Sequence, residues 1–178
     1  MGTVQRYSAS QRWLHWIVVV LVLTQLGLGV SISPLLLTKN EYLATILFNL
    51  HDGTGATIFV VMLIRATVRL SKGAPPMPEG TPDWVRYLSG ANHLLFYILL
   101  LAQPVIGYFN NGANGFPLSY YGLFDIPAII AKNEATAKTL AIVHAVVGLT
   151  IATLILLHLL GLAYHTYLRR DRLLQRMA

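Results

Sequence analysis

Apolar and polar positions segregate along this chain into four long apolar blocks, at about 13–32, 43–70, 88–109 and 137–168. A helix needs roughly 20 predominantly apolar residues to cross a bilayer, so the pattern predicts four transmembrane helices. A soluble four-helix bundle would need polar outer stripes at helical spacing, and residues 16–30, 53–64 and 140–163 have none. That class is excluded. Trp13 and Trp16 suit a first helix that starts at the membrane interface. A signal peptide is the alternative for this block, because Arg6 and Arg12 precede it, but no convincing small-residue cleavage site follows. Ser33-Pro34 marks the predicted exit from the first span, and a short link with Lys39 and Glu41 leads to the second. Residues 71–83, SKGAPPMPEGTPD, read as an irregular turn. Pro104 inside the third span is compatible with a membrane helix whose neighbours satisfy the freed carbonyl. The long link 110–136 begins loop-like, as NNGANGFPLSYYG, and Ile126–Lys132 suits a short interfacial turn or helix. No sequence repeat is apparent. Residues 1–178 therefore read as one all-α transmembrane domain.

Charge orients the spans. Of the 178 residues only 11% are charged, against about a quarter in soluble domains. The net charge of +6 would suggest nucleic acid in a soluble chain. Here the cations lie beside the spans, and no nucleic-acid role is expected. Ten of them fall on one side: Arg6, Arg12, Arg65, Arg69, Lys72, Arg86, Arg169, Arg170, Arg172 and Arg176. Lys39, Lys132 and Lys138 fall on the other. The positive-inside rule then puts both termini in the cytoplasm. Cysteine is absent, which excludes disulfides, thiolate metal sites and cysteine-held iron–sulfur clusters.

Histidine supplies the candidate chemistry. His144 and His158 are 14 residues apart, so they share a helix face and lie about 21 Å apart along the axis. His15, early in the first span, matches the depth of His158. His51, early in the second, matches His144. Axial ligation of iron by one imidazole from each of two helices satisfies this arrangement, and two hemes stacked across the membrane follow. Zinc more often takes four clustered ligands, and no acidic or thiolate companions are expected at these depths. Proton transfer by the histidines remains an alternative, although the spans are poor in buried Asp and Glu. His51 to Gly55 and His144 to Gly148 both read His-x-x-x-Gly, placing a small residue one turn from each imidazole. Such glycines suit close approach of a flat macrocycle, as Gly27 and Gly29 do on the first helix; ordinary close helix packing is the alternative. Arg65 and Arg12 are candidates for heme propionates, with snorkelling towards headgroups as the alternative. Arg69, Lys72 and the C-terminal arginines read as topology determinants. His93 is a candidate for a quinone headgroup or a propionate, Gln103 a weaker candidate for the same pocket, and His165 a candidate propionate contact.

Taken in order, these residues resemble the bacterial cytochrome b561 family, over essentially the whole chain. The resemblance rests on Tyr7-Ser8, the Gln11-to-Trp16 segment with His15, His51 with Gly55, and Asn92-His93 through Pro104-Val105-Ile106-Gly107. It continues with the His144/His158 pair, His165-Thr166-Tyr167 and the tail Arg170-Asp171-Arg172-Leu173-Leu174. It implies a four-helix diheme cytochrome b of the bacterial inner membrane, with His15, His51, His144 and His158 as iron ligands. It also implies electron transfer between a donor and a quinone pool. A superoxide:ubiquinone-type oxidoreductase is the first expectation. A diheme subunit that receives electrons from a periplasmic dehydrogenase or hydrogenase is the alternative. Where a superoxide-handling relative has a doubled histidine near the end of the last helix, this chain has Tyr164-His165.

Overall fold

The computed structural model describes residues 5–37, 40–78, 80–170 and 173–177. Lys39 and Arg172, counted above for orientation, and Asp171 of the tail lie outside the described residues. Four helices, α1 (Ala9–Leu37), α2 (Glu41–Lys72), α3 (Asp83–Asn114) and α4 (Glu134–Ala163), make up most of the chain, and all four are long and apolar enough to cross a membrane. They outrun the spans predicted from hydropathy because polar residues cap them beyond the apolar runs. Asn40 accepts from the Leu43 amide and Asn133 from the Thr136 amide, with Glu41 and Glu134 in the first turns, where a negative charge complements the helix dipole. Ser33-Pro34 does not end α1, which continues to Leu37. A proline near the last turn forfeits one backbone bond and leaves the preceding ladder intact.

Neighbouring helices pack in sequence, α1 on α2, α2 on α3 and α3 on α4, whereas α1 and α4 barely meet. The small core joins Val18, Val22, Ile58, Met62, Leu100 and Ile151 from all four helices. Large apolar side chains such as Val20, Val30, Leu149 and Leu159 point outward, as lipid-facing residues do.

The link after α3 is more ordered than its sequence suggests. Asn110–Asn114 are helical, and α3 stops at Gly115, whose φ of 87° lies in the left-handed region that glycine enters without steric cost. A two-stranded antiparallel hairpin follows, β1 (Leu118–Tyr120) and β2 (Phe124–Ile126). Ile126–Lys132 forms no helix. Its backbone is tied instead to α3, with Tyr108 Oη donating to the Pro127 carbonyl and the Asn133 amide to the Ala113 carbonyl. At the opposite end, α4 passes into a π-helical turn, Tyr164–Arg169, and the chain finishes in a 3-10 turn, Leu173–Arg176. Tyr7 donates its amide to the Arg176 carbonyl, Trp16 Nε1 donates to the Met177 carbonyl at 2.9 Å, and Gln11 Nε2 donates to the Gly73 carbonyl at 2.8 Å. Both termini and the α2–α3 link thus gather at one end of the bundle, here called the basic end. The hairpin caps the other.

Candidate functional site

Two histidine pairs occupy the two ends. At the basic end the rings of His15 on α1 and His158 on α4 have centroids 6.4 Å apart. At the hairpin end His51 on α2 and His144 on α4 stand 6.1 Å apart. Two imidazoles on opposite sides of one metal ion, each with a metal–nitrogen bond of about 2.0 Å, have centroids about 6.3 Å apart. Both pairs meet that requirement. Among the described residues no group of three or more His, Cys, Asp or Glu side chains could hold a bare metal ion. Two-ligand sites of this kind suit a metal that brings its remaining ligands in a macrocycle. The donor set and the spacing fit heme.

The basic end surrounds its pair with cations and hydrogen-bond donors. His93 stacks edge-on against His158 at 5.4 Å, and its Nδ1 lies 2.6 Å from the Ser89 carbonyl. A small cleft of about 40 Å³ is lined by Tyr7, Gln11, Arg65, Arg69, His93, Tyr97 and Met177. Arg65 Nε donates to Tyr97 Oη at 3.4 Å, and its guanidinium lies 5.9 Å from the Tyr97 ring centroid. Arg69, read from sequence as a topology residue only, shares this cleft and lies over the Tyr7 ring; the helical step of four residues puts it on the Arg65 face. Arg12 is half-buried, one turn before His15. His165 is buried, at 4% exposure, in the π-helical turn beside Tyr164.

Gln103 is not in this cleft. Its Nε2 donates to the His144 carbonyl at 2.9 Å, so it belongs to the hairpin end; three helical turns carry it away from His93. Nor is the hairpin end free of carboxylates. Asp52 lies beside His51 and accepts from Asn111 Nδ2 at 2.7 Å, a neighbour whose sequence context, an acid next to a candidate ligand, was visible. Tyr121 at the hairpin turn shares hydroxyl contacts with Thr57 at 3.1 Å and Thr54 at 3.4 Å. A Cβ on Gly53 would come within 2.5 Å of the Tyr121 ring, so only glycine there lets the hairpin seat on α2. The glycines predicted as a cofactor cradle divide. Gly29 and Gly107 lie against the His51 and His144 rings, Gly55 and Gly148 face the amides of Gln25 and Gln103, and a Cβ on Gly27 would meet nothing within 4 Å.

Comparison with known proteins agrees with this architecture along the whole chain. The profile of the prokaryotic cytochrome b561 family matches residues 6–178. Cytochrome b561 homolog 2 of Escherichia coli K12 is 28% identical, with 99% of this chain and 93% of that protein covered. The probable superoxide oxidase CybB of Yersinia pestis is 27% identical, covering 97% of this chain and 96% of its own. Cytochrome b561 homolog 1 of Escherichia coli K12 is 23% identical over 97% and 96%.

Proposed function

Because the chain belongs to the prokaryotic cytochrome b561 family, we propose that it carries electrons across the membrane through two b hemes, the basic-end heme on His15 and His158 and the hairpin-end heme on His51 and His144. It is a multi-pass protein of the bacterial inner membrane with a redox role. The observation that carries the diheme reading is the pair of centroid separations, 6.4 and 6.1 Å, at opposite ends of one helix. Heme b would supply a one-electron carrier at each end. The protein's part is to hold and bias those carriers. Arg65 and Arg69 offer guanidinium groups to propionates in the cleft they line with His93. Positive charge there also favours the reduced form. The basic end is assigned to the cytoplasm on the distribution of Lys and Arg. Ubiquinone is assigned to the same end, approaching His93 from lipid, where an imidazole and a neighbouring arginine can serve the carbonyl oxygens.

A small donor at the hairpin end, superoxide in the first instance, follows from the likeness to a protein named as a probable superoxide oxidase. The oxidation would release dioxygen and pass one electron per superoxide inward. The second reading, a diheme subunit serving a periplasmic dehydrogenase or hydrogenase, has the same histidine roles and differs in needing a large partner at the hairpin. Anaerobic spectroscopy separates the two. Reduction of the purified protein by superoxide, followed by reoxidation by a soluble quinone, is the expected result. Hemes that stay oxidised under superoxide but are reduced once a co-purifying catalytic subunit is present would select the second reading.

A further inference from the structure

Five buried polar side-chain atoms lack a hydrogen-bond partner among the described residues: Gln25 Oε1, His51 Nδ1, Asn92 Oδ1, Gln103 Oε1 and His144 Nδ1. An unpaired buried polar atom is costly, so each calls for a reason. Four of the five fall into two equivalent sets at the hairpin end. On α1, Gln25 is followed one turn later by Gly29, and the place a Cβ would take on Gly29 is 3.3 Å from His51 Cε1 and 3.8 Å from its Nδ1. On α3, Gln103 is followed one turn later by Gly107, where a Cβ would lie 3.2 Å from His144 Cε1 and 3.5 Å from its Nδ1. The reverse contacts repeat as well. A Cβ on Gly55, one turn past His51, would lie 3.3 Å from Gln25 Nε2, and one on Gly148, one turn past His144, would lie 3.4 Å from Gln103 Nε2.

The helix pairs α1–α2 and α3–α4 therefore carry the same device, Gln-x-x-x-Gly set against His-x-x-x-Gly. The sequence shows no long repeat, and this four-residue correspondence becomes visible only when the helices are paired. Each set leaves one acceptor, the glutamine oxygen, and one ring nitrogen that is a donor when the other nitrogen binds metal.

We propose that Gln25 and Gln103 are positioning residues, their Oε1 atoms accepting the Nδ1–H of His51 and His144 respectively. This rests on the reading that these histidines hold a heme. The bond fixes the tautomer that turns Nε2 towards iron and makes the imidazole a stronger electron donor, which favours ferric over ferrous heme. Gln103 keeps its Nε2 bond to the His144 carbonyl at 2.9 Å while its oxygen turns to the ring. The Gln25 side chain makes no hydrogen bond to another described residue, so its whole amide is available.

Potentiometric titration of Gln25→Met and Gln103→Met, followed optically and by low-temperature electron paramagnetic resonance, tests this. The basic-end component is identified by its absence from His15→Ala. The expected result is an upward shift of the hairpin-end midpoint and a changed low-spin signal in both variants, with the basic-end midpoint unmoved. Should a Met variant shed the hairpin-end heme, Gln25→Glu and Gln103→Glu, which keep an acceptor oxygen, are expected to retain it with a midpoint at or below the wild-type value. Two hemes with unshifted midpoints in both Met variants overturn the proposal and leave the ligand assignment standing. Loss of the hairpin-end heme from the Glu variants also overturns it. Wild-type protein without heme overturns the underlying reading instead.

Discussion

The two ends of the bundle hold the same histidine geometry in opposite surroundings. At the basic end His93 stacks edge-on against His158 and lines a cleft with Arg65 and Arg69, where the described parts of both chain ends also meet. At the hairpin end the His51–His144 pair is flanked by the neutral amides of Gln25 and Gln103 and by Asp52 with Asn111, under a hairpin seated by tyrosine hydroxyls. Hemes held by these pairs, as proposed, would have equal ligands in unequal fields and so unequal potentials. A unit charge about 10 Å from a redox centre is worth about 1.7 kcal/mol at an effective dielectric of ~20. Arg65 and Arg69 in the cleft, with no arginine at the hairpin end among the described residues, would therefore bias an added electron towards the basic end, on to which the proposed quinone would draw.

The largest expected effect comes from removing a ligand at one end only. His51→Ala should lose the hairpin-end heme and keep the other, and His15→Ala should do the reverse, each halving heme per chain in a hemochrome assay. Next, Gly53→Val should push Tyr121 off α2; overpacking of this kind costs about 1–3 kcal/mol. A lowered thermal unfolding temperature with the basic-end spectrum intact would show that the damage stays at the hairpin end. Arg65→Gln should lower the basic-end midpoint, because removing a cation disfavours the added electron, and leave the hairpin-end midpoint where it was. His93→Ala should slow quinone reduction with both heme spectra preserved; unchanged kinetics would move the quinone search to the hairpin end. The smallest effect belongs to Trp16→Phe, which deletes the bond to the Met177 carbonyl, worth about 0.5–1.5 kcal/mol. It should register as faster proteolysis of the C-terminal tail without a spectral change.

The two ends also differ in how much of them the sequence revealed. The four spans and the histidine depths were legible, because hydropathy and a 14-residue spacing are local properties of helices. Arg65 was legible for the same reason, through its 14-residue distance from His51. What depends on contact between helices was not. Gln103 and His93 share α3, and sequence distance alone did not reveal that Gln103 reaches across to the His144 carbonyl. The hairpin was hidden because three-residue strands leave no periodicity to read, and Gly53 looked like one more small residue until Tyr121 lay against it. Asp52 was visible in the chain, but its Asn111 partner sits 59 residues away. Arg69 reads in the sequence only as a topology marker, because a cation at a helix end has that role by default, and its place in the cleft depends on contacts between helices.

Heme and iron content of the purified chain, measured together with the same quantities for His15→Ala and His51→Ala, tests the central claim most directly. Two low-spin hemes and two iron atoms per polypeptide are expected, falling to one in each variant, with a different midpoint surviving in each. A single heme in the wild-type protein, or one and the same component lost from both variants, would contradict it.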